Sequence, residues 1–293
     1  MGAEQIARTI GEQEALDTLG TPLQNAIRSL FQSAGEGGRV AKNFLHGSAL
    51  GHPLHPALIE LPVGAWTLAA IFDAIELAGG RRTDIAEYAI KAGLVGAVGA
   101  AVAGITDWSE TDGAAKRIGI THGLMNVTAV ALYATSLLYR DRSRSKAIAL
   151  SMTAFGVAMS AAYLGGHLTY GEQIGVDHTA TADQGIPEDF VPVLAVNELP
   201  ENKPVKVDAS GVNVVLVKQG DAIFALRETC THLGGPLSEG KLEGDSIRCP
   251  WHGSRFCLKD GRVLDGPAVF PERAFDVRVR DGSIEVRARG SAK

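Results

Sequence analysis

Cys230-Thr-His-Leu-Gly-Gly-Pro-Leu237 and Cys249-Pro-Trp-His-Gly-Ser-Arg-Phe256 decide how this chain is read. Each stretch carries one thiol and one imidazole, as Cys230-x-His232 and Cys249-x-x-His252, with sixteen residues between His232 and Cys249. Two thiols and two imidazoles complete the donor set of a tetrahedral zinc, which is one chemistry the pattern permits. The neighbouring glycines carry no Cβ, so backbone N–H groups can come close to whatever the loops hold. Around the two stretches lie short β-type runs at residues 190–196, 205–208, 212–218, 222–226, 246–248, 275–279 and 283–286. Gln219-Gly-Asp221, Lys259-Asp-Gly261 and Arg280-Asp-Gly282 separate them as turns, which predicts a small all-β domain.

The flanks of the four ligand-type residues resemble the two loops of a Rieske iron–sulfur domain. The resemblance implies a [2Fe–2S] cluster with Cys230 and Cys249 on one iron and His232 and His252 on the other. Asp265-Gly-Pro-Ala268 matches the proline loop that covers the cluster's third side in that family, and the likeness runs over about residues 189–287. Quinol-oxidising Rieske proteins carry an extra cysteine in each loop, joined as a disulfide. Gly235 and Trp251 stand at those positions, so the resemblance is to the ferredoxin type. Ser254 matches a hydroxyl donor of the high-potential class and Phe256 replaces its tyrosine, which implies a low to intermediate potential. Cys257, the third cysteine, reads as a small buried strand residue.

The middle of the chain is different. Mean hydropathy is only +0.07 over 293 residues, but residues 57–77, 85–108, 118–139 and 147–170 are long and apolar. A membrane crossing needs about 20 such residues. The last of the four is the clearest, 118–139 comes next, and 57–77 is the weakest because it holds Glu60 and Asp73. Asp73 is expected to pair with Arg81 or Arg82. Ala92, Gly96, Ala100 and Gly104 form a small-residue ladder that lets helices approach closely. The short connections predict an all-α transmembrane four-helix bundle. His52-Pro-Leu-His-Pro56, Gly104-Ile-Thr-Asp-Trp108 and Tyr163-Leu-Gly-Gly-His-Leu-Thr-Tyr170 resemble a bacterial four-helix membrane family of unknown function, known also in Rieske fusions.

An up-down-up-down order puts His52, His55, Asp107, Trp108, His122 and His167 on one membrane face. Histidine is rare in spans and usually functional there. His55, His122 and His167 are therefore candidates for a haem b, another metal or a quinone-contacting site, beside the plainer reading that such residues cap helix ends at the headgroups.

Upstream, residues 5–31 read as an amphipathic arm broken near Gly20–Pro22, with residues 35–38 as a loop. The expected boundaries are an arm at 1–45, the membrane domain at 46–172, a linker at 173–187 and the Rieske domain at 188–290. No signal peptide is expected, because acids punctuate the first twenty residues. Three cysteines exclude a disulfide scaffold, and a net charge of −5 gives no basic excess for nucleic acid. Arg81, Arg82, Arg140, Arg142, Arg144 and Lys146 lie on the face away from the Rieske domain, which would put that domain outside. A cytoplasmic cluster without the disulfide argues for the inner face, and that is the reading taken.

The function expected is a multi-pass inner-membrane electron carrier rather than a complete enzyme. It would relay single electrons between the cluster and a second redox centre in the bundle, or to a redox partner protein or quinone. A redox-sensing module and an electron-supplying ferredoxin component of an oxygenase are the alternatives.

Overall fold

The computed structural model describes residues 3–180 and 185–289. Residues 181–184, within the expected linker, lie outside the described residues, as do 1–2 and 290–293. Two compact units divide the chain, Met1–Leu45 with Pro53–Ile174 and His46–His52 with Gly175–Lys293.

The first unit is all helix. α1 (Ala3–Gly11), α2 (Asp17–Ser33) and α3 (Gly35–His46) precede α4 (Leu54–Leu77), α5 (Ile85–Trp108), α6 (Gly113–Tyr139) and α7 (Arg144–Tyr170). α2 runs straight through the expected break at Gly20–Pro22, and the interruption falls at residues 12–16 instead. Gly20 is buried against Lys116 and Trp108, and Gln24 donates to the carbonyls of Trp108 and Thr111, both at 2.8 Å. The glycines expected to form a loop at 35–38 instead open α3. A Cβ on Gly38 would strike the Phe31 carbonyl, so glycine here permits the tight corner between two helices.

α4 packs along α5, and α6 along α7, with α4 and α6 at diagonal positions of the bundle. α4, α5 and α7 are long and apolar enough to cross a membrane, with mean hydropathies of 1.6, 1.7 and 1.6. α6 is not among them, which reverses the expected ranking of α4 and α6. Its His122, Asn126 and threonines are polar without being charged, so counting charges overrated it. Asp73 in α4 is fully buried and accepts two bonds from Arg140, at 2.5 and 2.8 Å, and one from Ser151. The expected partners Arg81 and Arg82 lie nearer in sequence, but Arg140 caps the C-terminal end of α6 at the same level of the bundle. The small-residue ladder faces α4 through Gly93, Gly96, Ala100 and Gly104, and Ala92 is exposed. A Cβ on Gly93 would strike the Trp66 indole, and one on Gly96 would reach 2.8 Å from Leu61.

The two helix pairs repeat one design. His55, Trp66 and Asp73 of α4 each face the residue 67 positions later, His122 and Tyr133 of α6 and Arg140 at its C-terminal cap. The imidazole centroids are 6.4 Å apart, Trp66 stacks on Tyr133 at 4.6 Å, and Asp73 holds Arg140. Pro62 and Ala129, and Ala69 and Ser136, keep the same offset, and all four are buried. In α5 and α7 the offset is 61: Ala86, Ile90, Gly93, Ala100 and Ala103 correspond to Ala147, Ser151, Ala154, Ala161 and Leu164, again all buried. At about 1.5 Å per residue, the three facing pairs span roughly 27 Å of helix, close to the hydrocarbon thickness.

The second unit is built from short antiparallel strands. β1 (Val191–Ala195), β10 (Ser283–Ala288) and β9 (Phe275–Arg280) form one sheet in the order β1-β10-β9. β2 (Val205–Ala209), β3 (Val212–Gln219) and β4 (Ala222–Arg227) form the second in chain order. β5 (Lys241–Glu243), β6 (Ser246–Arg248), β7 (Arg255–Cys257) and β8 (Val263–Asp265) form a third. Three of those four strands were not expected, because three residues rich in charge carry no readable alternation. One core is shared by β2, β3, β9 and β10, through Val207, Val214, Leu216, Phe275, Ile284 and Val286. The other core gathers Val215, Val217, Leu237, Ile247 and Phe256 together with Cys230 and Cys249.

Candidate metal centre

Three loops of the β unit make the site: residues 228–240 after β4, 249–254 after β6, and 266–274 after β8. The first is closed on itself. Cys230 N–H donates to the Gly235 carbonyl and Gly234 N–H returns to the Cys230 carbonyl, both at 2.9 Å. The second is closed by Cys249 N–H to Ser254 at 2.8 Å and Gly253 N–H to Cys249 at 3.2 Å. Arg248 braces it by donating to the Gly253 carbonyl at 2.7 Å while it forks onto Glu243. The third is tied to both. Ala268 N–H donates to Ser254 Oγ at 2.9 Å, and Thr231 Oγ1 donates to the Phe270 carbonyl at 2.8 Å.

This scaffold brings the four sequence-predicted residues together at one tip. Cys230 and Cys249 are buried, whereas His232 and His252 are half-exposed, with ring centroids 5.0 Å apart. The two sulfurs are hydrogen-bonded to each other. That bond, with the backbone N–H groups of Trp251 and His252, brings the Cys249 thiol down to about 7. The same bond and burial push Cys230 far up, so the pair sheds one proton readily and resists losing the second. A bound cation replaces the proton that the sulfurs share.

The donors thus come as two pairs, thiols inside and imidazoles outside. Among the described residues, no three His, Cys, Asp or Glu side chains converge as ligands of one ion. The division into two thiols and two imidazoles matches the donor set of a two-iron cluster. A Cβ on Gly235 would lie 2.8 Å from Cys249 Sγ and 3.2 Å from Trp251 Cγ. Glycine therefore leaves the sulfur its space, and Gly235 does face Trp251, as the missing disulfide requires. Ser254 is fully buried, and its Oγ accepts from Ala268 N–H. Phe256 is fully buried in the core that holds both sulfurs. Cys257 is buried on β7 and its thiol donates to Asp260.

Sequence reasoning missed Glu272. It lies 2% exposed beneath the first loop, and its Oε1 accepts the Thr231 N–H at 2.7 Å. Burial raises this carboxyl to about 8. A lone acid in the run Phe270-Pro-Glu-Arg273 gives no sequence signal that it turns inward.

The membrane histidines divide. His55 and His122 face each other, and each Nδ1 bonds a backbone carbonyl at 2.8 Å, Ala100 and Ala161 respectively. His167 lies 3.7 Å from Glu172. Trp108 is structural, donating to the Lys116 carbonyl at 2.8 Å over Gly119.

Comparison with known proteins agrees with both halves. Residues 189–277 match the Rieske [2Fe-2S] domain, and residues 51–179 match the family described as Predicted membrane protein (DUF2231). The 3-phenylpropionate/cinnamic acid dioxygenase ferredoxin subunit of Escherichia coli (strain K12) is 37% identical over 90 residues, 30% of this chain and 84% of that protein. Its counterpart in Shigella boydii serotype 4 is 36% identical over the same shares. Among solved structures, the ferredoxin of carbazole 1,9a-dioxygenase from Nocardioides aromaticivorans IC177 is 31% identical. The match covers 34% of this chain and 98% of that one, with a TM-score of 0.33. Through its C-terminal unit, the chain belongs to the Rieske [2Fe-2S] domain family.

Proposed function

We propose that the chain is a membrane-anchored carrier of single electrons, with Cys230 and Cys249 as thiolate ligands and His232 and His252 as imidazole ligands of the [2Fe–2S] cluster. The observation that carries this reading is the division of the donors into a buried thiol pair and a half-exposed imidazole pair. The cluster, when bound, supplies one-electron redox chemistry. The chain's own residues set its conditions. The N–H groups of Trp251 and His252 point at Cys249 and stabilise negative charge on sulfur. The two imidazoles form the exposed exit, and Trp251 beside them is 57% exposed, which suits a contact with a redox partner.

The anchor is the helical unit. Val95, Val98, Val127 and Leu138 on its outer faces are 66–74% exposed, a surface that lipid covers and water does not favour. We place the unit as a multi-pass domain of the inner membrane, with the Rieske unit on the cytoplasmic side, where a cluster domain lacking the disulfide is stable. The ferredoxin-subunit relatives make an oxygenase one acceptor class. A second redox centre in the bundle, a haem b or a quinone, is the other, with the membrane histidines as its contacts.

Purified in detergent and reduced, the protein is expected to give the electron paramagnetic resonance signal of one [2Fe–2S] cluster. His232→Ala and Cys249→Ser each abolish it, since each iron loses a terminal ligand. A wild-type signal from either variant, or zinc as the bound metal, overturns the assignment. Protease shaving of inverted membrane vesicles tests the side: release of the Rieske unit is expected there and not from right-side-out vesicles.

A further inference from the structure

The facing histidines of the bundle sit in a more specific setting than a pair of helix caps. Both lie at the same tier of the internal repeat, 67 residues apart, on the diagonal helices α4 and α6. Each ring is locked in the same way by the helix paired with its own. His55 Nδ1 bonds the Ala100 carbonyl, and a Cβ on Gly104 would come 2.7 Å from its ring. His122 Nδ1 bonds the Ala161 carbonyl, and a Cβ on Gly165 would come 3.1 Å from its ring. Ala100 and Gly104 are the repeat mates of Ala161 and Gly165. Two independent helix pairs have therefore built one cradle twice.

The tautomer follows from these bonds. A carbonyl can only accept, so both Nδ1 atoms carry a proton, and in the neutral ring the lone pair is then on Nε2. At His122 the Asn126 amide donates to that lone pair at 3.2 Å. A backbone carbonyl on Nδ1 is the arrangement that orients metal-ligating histidine, and at His122 a metal would take the Nε2 position that the Asn126 amide now holds, leaving that amide on the His122 carbonyl at 2.9 Å. The spacing agrees. A metal–nitrogen bond of about 2.0 Å, with about 1.1 Å more to the ring centre, sets two imidazole centroids roughly 6.2 Å apart across one ion. The observed separation is 6.4 Å, and the rings stand at 88°. Perpendicular rings are compatible with one shared axis, because a metal–nitrogen bond lies in the plane of its own ring.

We propose that His55 and His122 are the paired imidazole ligands of a transition-metal centre on the bundle's internal two-fold relation, and that His167 is not a ligand. This rests on the reading that the bundle holds a second redox centre, and it narrows that reading to metal rather than quinone. The shared chemistry is a metal with two places open to neutral nitrogen. It is met by the iron of a porphyrin, whose other four positions are already filled, and by a bare divalent ion completed by water.

The test is elemental analysis and an optical spectrum of the full chain in detergent, from cells supplied with iron, zinc, copper and a haem precursor. One metal per chain beyond the two irons of the cluster is expected. A Soret band identifies it as porphyrin iron, and a third metal without that band identifies a bare ion. His55→Gln and His122→Gln each reduce this third metal at least tenfold, while His167→Gln keeps it. Two irons and no Soret band in the wild type overturn the proposal without any variant, so misfolding of the glutamine forms cannot rescue it. Retention of the third metal in either glutamine form overturns it equally. The cluster signal, recorded on the same samples, keeps the two readings apart: its loss from wild type sinks the electron-carrier assignment alone.

Discussion

In the β unit, the four candidate ligands lie within 23 consecutive residues, on two loops held by their own backbone bonds. In the bundle, the facing histidines are 67 residues apart on helices that meet only across the centre. The first site is polar by design, with N–H groups aimed at sulfur and Arg248, Glu243, Arg255 and Asp265 paired around it. The second belongs to a column with one fully buried ion pair, Asp73 with Arg140, and the Trp66–Tyr133 stack between that pair and the histidines. A loop site can be assembled locally. A site on diagonal helices exists only if both helix pairs are in register, and the paired charges at the far end of the column hold that register.

That contrast breaks most sharply at Asp73. Removing one partner of a buried ion pair leaves an uncompensated charge and costs about 3–5 kcal/mol, whereas replacing both with apolar residues is close to neutral. Asp73→Ala should lower the thermal unfolding midpoint of the helical signal in detergent by many degrees. Asp73→Leu combined with Arg140→Met should restore most of it. The cluster spectrum should be the same in all three forms. A cluster lost with Asp73→Ala would show that the β unit depends on the bundle's register.

Glu272 sharpens the same comparison from the other side. Its carboxyl is raised to about 8 by burial, so between about pH 4.5 and 8 the folded chain holds a proton that the unfolded chain releases. Stability of the β unit therefore falls as pH rises through that window and levels off above it. Glu272→Gln cannot ionise and keeps the carbonyl that accepts Thr231 N–H. It should unfold like wild type near pH 5 and be more stable by about 2–4 kcal/mol near pH 9. Equal pH slopes in the two proteins would exclude Glu272 as the titrating group.

Phe256→Tyr probes the sulfurs themselves. The new hydroxyl would enter the core that holds Cys230 and Cys249 and donate toward a ligand sulfur, favouring the more negative reduced cluster. A net hydrogen bond of about 1 kcal/mol corresponds to roughly 40 mV upward for one electron. A constant or lower potential with the cluster intact would mean that the ring edge of Phe256 points away from sulfur.

The same division decides what could be read before the fold was known. The two cysteine–histidine stretches are contiguous, and their glycines have local steric reasons, so the meeting of the four candidate residues and even the Gly235–Trp251 contact were legible. The helices of the bundle were legible from apolar length. Their partners were not, because Asp73 selects Arg140 by height in the bundle rather than by nearness in sequence. The repeat was hidden for a related reason. Trp66 and Tyr133, or Asp73 and Arg140, are equivalent in place but opposite or merely similar in chemistry, so no periodic motif betrays them. β5, β7 and β8 escaped because a three-residue strand shows no alternation, and Gly20 escaped because a glycine packed against Trp108 looks the same as a helix break.

The smallest expected effect lies in the arm, which sequence periodicity described only as amphipathic. Asp17, at the start of α2, meets Lys116 at 2.9 Å and Arg117 at 2.8 Å, both in the first turn and a half of α6. Hydrogen bonds from Arg117 and then Lys116 hold its carboxyl down at about 2. A depressed acid contributes stability above its unfolded value, near 3.8, and loses it as pH falls toward 2. At neutral pH the attachment is therefore complete, and acid should loosen α1 and α2 before it unfolds the bundle. Asp17→Asn should produce the same loosening at pH 7. Hydrogen exchange read by mass spectrometry would show faster exchange across residues 3–33 and unchanged protection in α4 to α7. The Asp17 side chain is half-buried, 30% exposed against 0% for Asp73, so the effect should shrink more as salt rises than that of the fully buried Asp73–Arg140 pair. Equal salt sensitivity of the two variants would erase the distinction drawn between the surface arm and the register-setting column.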